Sequence, residues 1–141
     1  MFEFSQRSEQ RLHGVKPGLV NVVRLALGRS PVDFMVIEGF RTLARQQELY
    51  AQGRTTPGKI VTWTMKSKHL DGSAVDIAPV DDSGKILWDD LHAFDQMAAA
   101  MFAAAQELDI PIRWGADWDQ DGVPRERGET DSPHFELAEV A

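Results

Sequence analysis

Cysteine is absent from the 141 residues. That excludes disulfides, a thiolate nucleophile and cysteine-ligated zinc, so any metal site must draw on His, Asp and Glu. Positive charge is also scarce: 15 Lys and Arg stand against 22 Asp and Glu, a net charge of −7. A chain of this sign gains nothing from a phosphate backbone, which argues against a general nucleic-acid binder. Long apolar runs are missing, and no window approaches the roughly 18 apolar residues of a membrane span. The N-terminus, "MFEFSQRSEQRLHGV", lacks the basic segment and apolar run of a secretory signal. The expectation is a protein made in the cytoplasm that inserts in no membrane and reaches any external target without a signal peptide of its own.

What is present suits a globular chain. Apolar residues make up 43% of it, enough to build a core, and the length suits a single domain over residues 1–141. Residues 8–27 read as helical with a break near "HGVKPG", and Gly28 is a plausible stop. "DFMVIEG" reads as a buried strand and "TLARQQELYAQGR" as a helix. "AVDIAPV" is a second strand, "DDSG" a turn and "KILW" an edge strand. Residues 89–108 form the clearest helix, with Leu91, Phe94, Met97, Ala98, Met101, Phe102, Ala105 and Leu108 on one apolar face. "IPIRWG" and "HFELAEV" supply a third and a fourth strand. This order implies an α+β fold, a small and mostly antiparallel sheet with flanking helices.

One stretch does not fit a plain core: "SKHLDGSAVD", residues 67–76. Asp76 lies inside an apolar strand, seven residues after His69. In one strand that interval covers about 23 Å, and in a helix about 10 Å, so neither element lets both side chains touch one ion. The Asp71-Gly72 dipeptide supplies the missing bend. A turn there folds His69 back toward Asp76, while Val75 and Ile77 point the other way into the core. A second group closes the chain in "TDSPHFEL". Pro133 excludes a helix through Asp131 and His134, leaving Asp131 on a loop ahead of His134. His69, Asp76 and His134 make a three-ligand zinc set with a fourth position for water, the pattern of a catalytic site. A further carboxylate beside that water would serve as general base. Asp131 fits this place, and Glu136 rivals it because residues 134 and 136 share a strand face. The bland alternatives are a loop-capping aspartate and ordinary surface or core histidines. His13 and His92, without such acidic partners, read as surface residues.

These motifs resemble those of the M15 zinc peptidases, the D-alanyl-D-alanine peptidase group. "SKHLDGSAVD" is similar to their Ser-x-His-(six residues)-Asp motif, and "DSPHFEL" to their carboxylate-x-x-His motif. "EGFRTLARQQELYAQGR" resembles the arginine-bearing segment ahead of the zinc motif. "IRWGADW" resembles "WGGDW", with Ala116 in place of the second glycine. The short length and missing signal are most like the phage endolysins of this family, which act as L-alanyl-D-glutamate peptidases. The resemblance implies a Hedgehog/DD-peptidase-like fold, with His69, Asp76 and His134 on zinc and Asp131 as the catalytic carboxylate. It places Arg41 against the reacting carbonyl and Ser67 in a supporting role behind the metal ligands. It further implies a monomer acting on bacterial peptidoglycan after release from the host cytoplasm. The other readings are a D-alanyl-D-alanine carboxypeptidase or dipeptidase, or an inactive cell-wall or calcium-binding module.

"DWDQDG" places Asp117, Asp119 and Asp121 at alternate positions, like the opening of a calcium loop. The twelfth position of such a loop is Gly128, with Glu129 one residue late. Two readings stand: a calcium site that orders the chain leading to Asp131, and a solvated acidic turn.

Overall fold

In β2, residues Ala74–Pro79, the side chains alternate between two unlike environments. Val75 and Ile77 are wholly buried, whereas Asp76 between them is only partly covered. The computed structural model, which describes residues 2–60, 68–117, 120, 124, 125 and 131–138, shows what each side of that strand meets.

The elements run in the order α1 (Gln6–Arg11), α2 (Pro17–Arg29), β1 (Phe34–Glu38), α3 (Leu43–Ala51), a single 3-10 turn (Lys68–Asp71), β2, α4 (Leu91–Leu108), β3 (Ile112–Trp114) and β4 (His134–Leu137). The four strands form one sheet in the order β1-β2-β4-β3, and every pairing is antiparallel. The fold is thus α+β with a small antiparallel sheet, as the pattern of elements implies.

One face of the sheet is the core. Val36 of β1, Val75 and Ile77 of β2 and Phe135 of β4 pack with Leu19, Val22 and Val23 of α2 and Phe94, Met97 and Met101 of α4. The Trp114 and Phe135 rings stack at 6.0 Å, tying β3 to β4. The pleat sends the alternate residues to the opposite face, which carries the ionisable side chains beside the small Ala74 and Ala78. The register sets Asp76 across from His134, Ala74 across from Glu136, and Arg113 across from Glu136. On the other side of β2, Glu38 pairs with Asp76 after an irregularity at Val36. An ionisable row therefore crosses the sheet on one face.

Several boundaries differ from expectation. α1 starts at Gln6, capped by the Ser5 hydroxyl, and Pro17 opens α2 at its first turn. α2 runs one residue past Gly28, to Arg29. α4 begins after Asp90, whose carboxylate accepts from the Ala93 amide at 3.0 Å. Of its expected apolar face, Leu91 is 50% exposed and Phe102 and Leu108 each 37%. The buried stripe includes Ala93 and Ala104, which bring the helix close to its neighbours and leave Leu91 and Leu108 at its ends outside. The "KILW" edge strand does not form; Ile86 makes only an isolated bridge to Val80. The Asp81 carboxylate accepts from the Ser83 and Lys85 amides, and this tight turn and the nearby start of α4 leave no length for a strand.

The Asp71-Gly72 bend is formed as expected. Gly72 has φ +78°, and a methyl group on it would lie 2.2 Å from the Gly14 carbonyl oxygen. Its own carbonyl accepts from the Lys16 amide at 2.9 Å, so the bend is tied to the loop before α2. Gly72→Ala should combine left-handed strain with this clash and cost roughly 2 kcal/mol or more, a fall in Tm of about 5 °C or more. Thermal unfolding checks this; an unchanged Tm would mean that the bend does not need glycine.

Candidate metal centre

The 3-10 turn carries His69 up to β2, and the antiparallel register carries His134 beside Asp76 from the other strand. The Oδ1 atom of Asp76 lies 3.4 Å from Nε2 of His69 and 3.2 Å from Nδ1 of His134. One ligand atom from each residue lies within 4.8 Å of the others. The two imidazoles meet edge to face, with centroids 5.2 Å apart.

Each histidine is held from behind through its other nitrogen. Nδ1 of His69 is 2.7 Å from the Gly39 carbonyl oxygen. A carbonyl only accepts, so Nδ1 donates to it and Nε2 is the ring atom turned toward Asp76. In His134 the roles are exchanged. Its Nε2 is 2.9 Å from a Glu136 carboxylate oxygen, which leaves Nδ1 for Asp76. One ring nitrogen from each histidine and a carboxylate oxygen of Asp76 therefore converge. Four ligands at about 2.0–2.1 Å in a tetrahedron stand ~3.3 Å apart, and the two shorter separations here match that edge. The donor set suits zinc.

The electrostatics point the same way. Burial works against the Asp76 charge, but hydrogen bonds from His134 and His69 outweigh it and hold the carboxyl well below its usual range. Burial also works against a charged His134, yet its bonds to Asp76 and Glu136 raise it to about 9. Without a metal the pocket therefore gathers positive charge as protons. Asp131 shifts upward, first through burial and then through the Asp76 charge, while His134, His69 and Arg41 act in the opposite direction.

The loop bearing Asp131 is placed by Gly115. The Asp131 amide donates to the Gly115 carbonyl at 3.2 Å, and the Gly115 amide to the His134 carbonyl at 2.8 Å. A methyl group on Gly115 would sit 2.3 Å from the Asp131 carbonyl oxygen. The Trp114 indole donates to the Ser132 carbonyl at 2.7 Å, fixing the next residue. Ala116, where the resemblance has a glycine, is fully buried.

Arg41 stands just before α3, whose cap is Thr42. Its Nε and Nη2 donate to the Glu38 carboxylate at 2.8 and 2.7 Å, and Nη1 donates to Gln46 at 2.6 Å. The Arg41 amide donates to the His69 carbonyl at 2.9 Å, coupling this segment to the site.

Glu38, Gln46 and the Gly39 carbonyl were not foreseen from the sequence. The signal for Glu38 was its place three residues before Arg41, at the end of an apolar strand. Glu136, the rival base, is 5% exposed and bonded to Arg113 at 2.9 Å, on the side of the His134 ring away from Asp76. His13 and His92 are exposed, as expected. Ser67, Asp119 and Asp121 lie outside the described residues. Of the acidic alternation the structure describes Asp117, which is buried, with its amide donating to the Trp114 carbonyl at 3.0 Å.

Residues 1–138 match the protein family described as phage L-alanyl-D-glutamate peptidase. The chain belongs to this family. It is 41% identical over 139 residues to the L-alanyl-D-glutamate peptidase of Escherichia phage T5, covering 96% of this chain and 98% of that one. It is 31% identical over 130 residues to the peptidoglycan L-alanyl-D-glutamate endopeptidase CwlK of Bacillus subtilis (strain 168), covering 89% and 73% of the two chains. Among solved structures, the Serratia marcescens L-Ala D-Glu endopeptidase ChiX superposes with a TM-score of 0.77 at 38% identity, covering 97% of this chain and 90% of the other. In this member of the family, a side chain at Gly115 has no room against the Asp131 loop. Gly115→Ala should displace Asp131 by on the order of 1 Å and cost roughly 1–3 kcal/mol, as overpacking does. A crystal structure and a melting curve of the variant check both, and an unmoved Asp131 would contradict the packing argument.

Proposed function

We propose that the chain is a zinc-dependent peptidoglycan endopeptidase that hydrolyses the L-alanyl-D-glutamate bond of cell-wall stem peptides and serves as a phage endolysin, released from the host cytoplasm to the wall. The convergence of one atom each from His69, Asp76 and His134 carries this reading. The activities named for the T5, Bacillus and Serratia relatives support the choice of bond.

His69 through Nε2, His134 through Nδ1 and Asp76 through a carboxylate oxygen would hold the zinc. Bound there, zinc supplies a Lewis acid for the scissile carbonyl and lowers the pKa of water at the site. Asp131 accepts the proton of the attacking water at its carboxylate and returns it to the leaving amine. Its upward shift suits a group that must both take and give that proton. Arg41 binds the carbonyl oxygen as negative charge grows on it. Glu38 and Gln46 engage three of its five N–H groups, which locks the guanidinium and leaves two donors for the substrate. An arginine fixed in advance needs no reorganisation at the moment of reaction.

Mass analysis of fragments released from purified peptidoglycan tests this. The zinc-loaded protein should release stem peptides that begin at D-glutamate, leaving L-alanine on the glycan. A chelator should stop the release and added zinc restore it. Asp131→Asn should retain zinc and lose roughly 10²-fold or more in rate, as for a general base. Cleavage at another bond, or full activity without metal, would overturn the reading.

A further inference from the structure

Glu136 is a buried carboxylate that the proposed chemistry does not use. It is 5% exposed, on a strand of only four residues, and both of its oxygens have polar partners. One oxygen lies 2.9 Å from Nε2 of His134. The other lies 2.9 Å from Nη2 of Arg113 and 3.3 Å from Nζ of Lys68. Two cations at this range keep Glu136 ionised, and an ionised carboxylate only accepts. Nε2 of His134 must therefore donate, whatever state Nδ1 takes.

The clamp is built from three parts of the chain. Arg113 reaches Glu136 from the facing position on β3. Lys68 comes from the residue before His69 and also donates to the Leu137 carbonyl at 3.0 Å. The 3-10 turn that positions one histidine is thus pinned to the strand that positions the other.

We propose that Glu136 is a positioning residue: it takes the Nε2 hydrogen of His134 and so presents the Nδ1 lone pair to the metal beside Asp76. The proposal rests on the zinc reading above and adds to it a residue that sets metal affinity without touching metal or substrate. His69 has its equivalent in the Gly39 carbonyl, so the two imidazoles are locked in opposite tautomers by two different acceptors.

The test is Glu136→Gln, which keeps shape but cannot accept at both oxygen positions. If its amide nitrogen faces His134, it demands a lone pair on Nε2 and moves the proton to Nδ1, the ligand atom. If its oxygen faces His134, the amide nitrogen faces Arg113 and Lys68, donor against donor. Either way zinc affinity should fall about 10- to 100-fold, the usual effect of losing such a partner. The dissociation constant is read by competition with a chromogenic chelator, using zinc alone. In the zinc-free native protein, 15N NMR of the His134 ring should show a proton on Nε2 that exchanges slowly with water. In Glu136→Gln that proton should exchange faster or be lost. Glu136→Asp, which keeps the charge one methylene short, should lie between the two and serves if the Gln variant does not fold.

Native zinc affinity in both variants would overturn the proposal, as would an unprotonated or fast-exchanging Nε2 in the native chain. Loss of activity that excess zinc does not relieve would assign Glu136 to the chemistry itself and equally overturn it. A native protein that binds no zinc refutes the metal reading instead, and the Nε2 proton still decides the role of Glu136.

Discussion

A carboxylate in the middle of an apolar strand is the constraint on which the rest depends. Asp76 stands between Val75 and Ile77, both wholly buried. A charge largely withdrawn from water is costly for a small fold, so it must be matched by hydrogen bonds and favourable electrostatics. Here the match comes from two imidazoles, one from a 3-10 turn just before the strand and one from the neighbouring strand. Each is aimed by an acceptor behind it, a carbonyl for His69 and a carboxylate for His134. A group of this kind satisfies itself with protons when empty and with a divalent cation when filled. Stability and the proposed metal binding thus draw on the same atoms.

The sheet makes that arrangement possible by keeping its two faces apart. One face buries apolar side chains against α2 and α4, and the other holds Glu38, Asp76, His134, Glu136 and Arg113 in register. Each acid along it has a partner: Arg41 for Glu38, the two imidazoles for Asp76, Arg113 and Lys68 for Glu136. Two glycines then let the backbone close around the row. Gly72 allows the turn after His69, and Gly115 allows the Asp131 loop to lie against β3.

Local signals were legible in the sequence. The Asp71-Gly72 turn, the apolar β2 with its one acid and the long α4 each follow from residues close together. The Ser-x-His and carboxylate-x-x-His motifs led to the family that the comparison with known proteins shows. Non-local relations were harder to read. The register that sets His134 across from Asp76 joins residues far apart in the chain. Face alternation puts Glu136 beside His134, but its partners Arg113 and Lys68 come from two other elements, so the sequence alone makes it a rival base and does not show what its carboxylate holds. The anchor of Arg41 is equally hidden, because Glu38 belongs to a strand on the other side of Gly39. "KILW" carried strand-like residues without the length or partner that a strand needs.

The most direct measurement of the central claim is anomalous scattering at the zinc edge from crystals of the zinc-loaded protein. The account predicts one strong peak, bonded at about 2.0–2.2 Å to Nε2 of His69, Nδ1 of His134 and a carboxylate oxygen of Asp76. A peak elsewhere, or zinc bound through Nε2 of His134, would contradict it.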